Sequence, residues 1–124
     1  MVTSDDVESL DPAEHLARQR DALRARAATL DEDMASLVIA AQGSNADDEH
    51  DPEGATIAYE RAQLAAMIQQ TRTHLDEIEE ASARVCAGTF GNCEVCGQPI
   101  PAARLEARPT ARTCVRHAPG GSRR

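Results

Sequence analysis

Two heptad stripes of apolar residues, a short acidic break between them, and a C-x2-C-x17-C-x2-H run near the C-terminus predict a mainly α fold. The expected architecture is a long antiparallel coiled-coil helical hairpin followed by a small zinc finger.

Composition sets the scale. At 124 residues the chain has room for one domain, or for one elongated element plus a small module. Aromatic residues make up 2%, Trp is absent, and many of the apolar residues are Ala, so a thin core is expected. A formal net charge of −8 argues against wrapping a nucleic-acid backbone, because Lys and Arg supply most of the affinity for phosphates. The opening "MVTSDDVESLDPAEHL" has no basic segment followed by an apolar run, so no secretory signal is read there. The longest clearly apolar stretch, "LVIAA" at 37–41, is far short of the roughly 20 residues that span a bilayer. A cytoplasmic location without membrane contact is the expectation. In that reducing compartment, cysteines concentrated in the last third read as metal ligands before they read as disulfides.

Residues 1–10 are polar and acidic and are expected to form a flexible tail. The first helix starts at "DPAE", with Asp11 as N-cap, Pro12 at the first helical position and Glu14 placed to reach back in a capping box. Leu16, Leu23, Leu30 and Leu37 then recur every seven residues, with Ala13, Ala27, Met34 and Ala41 in the alternate seam positions. Arg20 interrupts the stripe. Gly43 is suited to a left-handed C-terminal position. A second helix starts the same way at Asp51-Pro52-Glu53, and its stripe runs through Ile57, Leu64, Ile68, Leu75, Ile78 and Val85. Thr71 and Ser82 weaken it, and Arg61 is a second charged seam position.

Helices of this length make arms of roughly 45 to 50 Å. The short connection favours an antiparallel hairpin over residues 11–88 with its acidic tip at 43–54. The simplest register sets Arg20 near Glu77, and the small closure cost of the loop favours this intramolecular pair, hence a monomer.

The segment "CEVCGQPIPAARLEARPTARTCVRH" supplies Cys93, Cys96, Cys114 and His117. Two close-spaced ligand pairs joined by such a loop match a structural zinc site, because each pair spans one edge of a tetrahedron. Gly97 suits the tight knuckle after the first pair. With Ile100 and Leu105 as its main apolar residues, a module over 89–117 needs metal binding as its folding energy. A closed Cys3His shell leaves no position for substrate. Cys86, the remaining cysteine, is expected as a small, partly buried apolar residue. Replacement of His117 as ligand, or a redox-sensitive thiol, are the alternatives for it.

A hairpin with an acidic tip followed by "GTFGNCEVCGQPIPAARLEARPTARTC" resembles the DksA/TraR family of bacterial RNA polymerase regulators. The resemblance covers about residues 11–117. It implies a non-enzymatic regulator whose hairpin enters the secondary channel of RNA polymerase, where acidic tip residues act near the catalytic magnesium and destabilise promoter complexes. The implied partner is the polymerase and not promoter DNA. The family's tip motif is an Asp pair spaced D-x-x-D, and Asp48 and Asp51 have that spacing, with Ala55 beyond them. A shifted alignment would start the motif at Asp51. Asp51 is also explained by helix capping, worth about 0.5 to 2 kcal/mol, but capping explains one acid well and the five of "DDEHDPEG" poorly.

Three departures from the family stand out. His117 takes the place of a fourth Cys and remains a good zinc ligand. The "APGGSRR" at 118–124, read as a disordered tail, does not resemble the C-terminal helix of fuller members. Members that respond to guanosine tetraphosphate use basic residues on the second helix, where this chain carries Glu77, Glu79 and Glu80. Arg104 and Arg108 in the finger are the candidates for polymerase or alarmone contacts, with local ion pairs to Glu106 as the plainer role. Two other functions compete. Cleavage-stimulating factors of the Gre type also carry tip acids that hold a second magnesium, but they lack this finger. A zinc-finger adaptor or nucleic-acid binder would need basic and aromatic surface on the finger.

Overall fold

The computed structural model describes residues 11–43 and 52–118. Two long helices, α1 (Pro12–Gln42) and α2 (Pro52–Ala87), pack as a hairpin, and a six-residue helix α3 (Ala102–Ala107) and a 3-10 turn (Val115–His117) follow. The fold is mainly α with a cysteine-rich finger after the hairpin, as the heptads predict. Among the described residues no helix is long and apolar enough to cross a membrane.

The helix ends show how the chain is punctuated. The N–H of Glu14 donates to Asp11 Oδ2 at 3.3 Å, so Asp11 is the N-cap, and Pro12 follows it at the position where a missing N–H costs nothing. At the other end of α1 the expectation for Gly43 is corrected. Gly43 is not in the left-handed region. Its N–H is shared between the carbonyls of Ile39 at 3.3 Å and Ala40 at 3.1 Å, a tightened last turn that needs no positive φ. The left-handed stop belongs to α2 instead: Gly88 has φ 79°, its N–H donates to Val85 O at 3.2 Å, and the Thr89 N–H donates to Arg84 O at 2.9 Å. That pair of bonds is a Schellman motif.

The described residues form two compact units. In the unit Asp21–Leu75, α1 and α2 lie side by side with Leu30 and Thr71 buried. Leu23, Ala27, Met34 and Leu37 on α1, and Ile57, Leu64, Ile68 and Leu75 on α2, are only half-buried. Two helices make a core one side chain thick, so seam residues keep a solvent edge. Thr71 does not weaken this seam as expected, because its hydroxyl donates to Met67 O at 2.8 Å and enters the core satisfied. Arg61 is exposed and not a seam residue.

The second unit joins the start of α1, up to Arg20, with the chain from Asp76 onward. Leu16, Ile78 and Ala81 are fully buried there, beside Cys93, Ile100 and Ala111. Ala13 is exposed, so the α1 seam starts at Leu16. Arg20 makes no ion pair with Glu77: its Nε is buried without a hydrogen-bond partner, and Glu77 is exposed, one position before the buried Ile78. The heptad puts Ile78 in the seam and leaves its neighbour on the flank.

Two substitutions test these readings by urea unfolding followed by helical circular dichroism. Ile78→Ala is expected to cost about 2 to 5 kcal/mol, the range for truncating a fully buried aliphatic side chain. Gly88→Ala meets no atom within 4 Å, so its cost is conformational alone, about 1 to 2 kcal/mol for a Cβ in the left-handed region.

Candidate metal centre

The finger begins where Gly88 ends α2. Gly91, at φ 90°, and Ile100 close a loop through an Ile100 N–H to Gly91 O bond of 2.7 Å. An isolated antiparallel bridge joins Asn92 to Pro99. Inside it the Cys93 N–H donates to Gln98 O and the Gly97 N–H to Cys93 O, both at 2.8 Å. Gly97 has φ 75°, the knuckle geometry that its position after Cys96 predicts, and the Val95 N–H donates to Cys93 Sγ at 3.4 Å. The second ligand pair is set by the 3-10 turn, in which the His117 N–H donates to Cys114 O at 3.0 Å. One helical-type turn thus brings residues three apart onto one side.

One donor atom from each of Cys93, Cys96, Cys114 and His117 lies within 4.8 Å of the others. Cys96 Sγ and Cys114 Sγ are 3.9 Å apart, Cys93 Sγ is 3.7 Å from His117 Nδ1, and Cys114 Sγ is 3.2 Å from the same nitrogen. A tetrahedron with Zn–S of about 2.3 Å has S···S edges of about 3.8 Å, and slightly shorter S···N edges. The four residues therefore fit one zinc ion, and bound zinc supplies structure by filling its shell with protein donors.

The thiols differ. Burial pushes the Cys93 thiol up, but the backbone N–H groups of Cys114, Cys96 and Val95 outweigh it and bring it down to about 6. For Cys96 a hydrogen bond from the Gln98 backbone lowers the pKa, and desolvation with the neighbouring Cys93 and Cys114 thiols wins and raises it.

Cys86 is exposed and lies outside this cluster, which corrects the expectation of a partly buried apolar residue. It sits in the last helical turn before Gly88, where the chain leaves the seam.

The candidate tip acids Asp48 and Asp51 lie outside the described residues. In the finger, Arg104 Nε donates to Thr113 O at 2.9 Å, and neither Arg104 nor the exposed Arg108 pairs with Glu106. Both arginines border an open hollow of about 410 Å³ together with Glu77, Glu94 and Arg112. Contacts that no sequence motif marks tie the finger to α2. Arg84 Nη2 donates to Thr110 O at 3.4 Å, and Arg112 pairs with Glu80. Burial lowers the Arg84 guanidinium pKa and Arg112 adds repulsion, against attraction from Glu94 and Glu80. Arg84 could be read from the sequence only as a basic residue near a helix C-terminus.

The family model for the prokaryotic dksA/traR C4-type zinc finger matches residues 88–116. The transcription factor DksA2 of Pseudomonas aeruginosa has a similar solved structure, with a TM-score of 0.71 and 31% sequence identity over 84% of this chain and 74% of that one. The chain belongs to the DksA/TraR family. Among curated relatives, the Bacillus subtilis protein YteA is 43% identical over 70 residues, which are 56% of this chain and 29% of YteA. The Caulobacter vibrioides "RNA polymerase-binding transcription factor DksA" is 50% identical over 44 residues, 36% of this chain and 31% of that protein. The chain thus spans less than a third of the length of either of these curated relatives. The finger match stops one residue before His117, so this DksA/TraR member completes a C4-type set with an imidazole.

Metal removal has a direct readout. In the zinc-loaded chain, a thiol reagent is expected to modify Cys86 quickly and the other three cysteines slowly. After a strong chelator, all four should react at comparable rates, because thiolates held by zinc are poor nucleophiles until released. Equal rates before and after chelation would contradict the assignment.

Proposed function

We propose that this chain is a non-enzymatic, cytoplasmic regulator of bacterial transcription that binds RNA polymerase directly. The hairpin enters the secondary channel and presents Asp48 and Asp51 to the active-site region, altering the stability of promoter complexes. The finger, with Cys93, Cys96, Cys114 and His117 on one structural zinc ion, docks the base of the hairpin. The observation that carries this reading is the likeness to transcription factor DksA2 over 84% of the chain. A 44-residue match to a relative named for RNA polymerase binding points the same way.

Charge supports a protein partner over DNA. A net charge of −8 repels a phosphate backbone, and the polymerase supplies cations and a bound metal that favour a carboxylate tip. The same argument weighs against guanosine tetraphosphate as a required ligand: Glu77 borders the hollow that holds Arg104 and Arg108, and Glu79 and Glu80 follow it on α2.

The test is binding of the zinc-loaded chain to core RNA polymerase with and without a secondary-channel competitor. The wild type is expected to be displaced by the competitor and to shorten promoter-complex lifetime without stimulating transcript cleavage. Asp48→Asn/Asp51→Asn is expected to bind as tightly and leave the lifetime unchanged. Binding that ignores the competitor would rule out the channel.

A further inference from the structure

The two halves of the metal site are held in different ways. Cys93 and Cys96 sit in a turn closed by its own hydrogen bonds, Cys93 N–H to Gln98 O and Gly97 N–H to Cys93 O. Cys114 follows an irregular stretch, and three of the four carbonyls before it are taken by donors from three other parts of the chain. Arg84 of α2 holds Thr110 O, the Glu94 N–H of the first knuckle holds Arg112 O at 2.9 Å, and Arg104 of α3 holds Thr113 O. The Arg112 side chain returns to Glu80 of α2. Ala111 and Thr113 are buried, at 7% and 6% exposure, and the one local bond of this stretch, from the Ala111 N–H to Arg108 O at 2.9 Å, precedes the three carbonyls that outside donors and the first knuckle hold.

We propose that Arg84 and Glu80 are positioning residues for the metal centre: α2 aligns the 110–113 segment so that Cys114 and His117 meet the first knuckle at tetrahedral spacing. The metal-binding unit therefore begins inside α2 and not at Gly88. By linkage, whatever these contacts add to metal affinity, metal loading returns to the docking of α2 on the finger. The Glu80–Arg112 pair is about half exposed on both sides, at 53% and 48%, and such pairs are individually weak. The part-buried bond from Arg84 is charge-assisted on the donor side and contributes the larger share.

The inference rests on the four-residue zinc assignment but not on polymerase binding, and the wild-type zinc stoichiometry checks that assignment separately. Zinc transfer from the full chain to a chromophoric chelator is timed for Arg84→Ala, Glu80→Ala, Arg112→Ala and the swap Glu80→Arg/Arg112→Glu. Circular dichroism monitors folding, and cobalt(II) substitution reports tetrahedral geometry. Arg84→Ala is expected to release zinc about 3- to 10-fold faster, with the other single variants less affected. The helical signal and the tetrahedral cobalt spectrum should persist, and the swap should return to the wild-type rate. Arg84→Lys, a milder change that keeps the charge, guards against misfolding and should fall between wild type and Arg84→Ala. Wild-type release rates in both Arg84→Ala and Glu80→Ala would overturn the proposal. So would a swap that releases zinc faster than either Glu80→Ala or Arg112→Ala.

Discussion

The tetrahedral gathering of three sulfurs and one imidazole nitrogen is the constraint on which the C-terminal third depends. Among the described residues after Ala87 the buried apolar ones are Cys93, Ile100, Pro109 and Ala111, too few to offset the backbone entropy of ordering some thirty residues at about 1 to 2 kcal/mol each. Closing two knuckles on one cation replaces a missing core with a few strong, directional bonds. The positive-φ glycines, Gly88, Gly91 and Gly97, stand where the chain must turn sharply to reach that geometry.

The hairpin solves the same shortage of core in another way. A pair of helices shares one seam, and the side chains in it are mostly half-buried, with full burial confined to a few positions such as Leu16, Leu30 and Ile78. Stability is therefore spread along the length of the seam. A polar residue can enter it at low cost where the helix supplies a partner, as Thr71 does through Met67 O. Arg20 has no such partner for its Nε, and a buried donor left unpaired is the weak point of a thin core.

The proposed function depends on where charge is carried. Acidic residues dominate the segment between the helices and the flank of α2 at Glu77, Glu79 and Glu80, while cationic side chains gather in the finger at Arg104, Arg108 and Arg112. A structural zinc site leaves the finger without chemistry of its own, so in the proposed function the chemistry belongs to the polymerase.

The sequence by itself determined the hairpin, because two seven-residue apolar stripes joined by a short connection bury each other at little closure cost. It also determined the four candidate ligands, because paired Cys and His spacings satisfy a tetrahedron through short-range geometry. Asp11 and Gly97 were legible for the same local reason. Gly43 and Gly88 were not told apart, since a glycine after a helix permits a left-handed turn without requiring one. The exposure of Cys86, the lack of an ion pair between Arg20 and Glu77 and the contacts of Arg84 and Arg112 across the finger were decided by tertiary structure. Those depend on which residues far apart in the chain come to share a surface, and no local pattern encodes that.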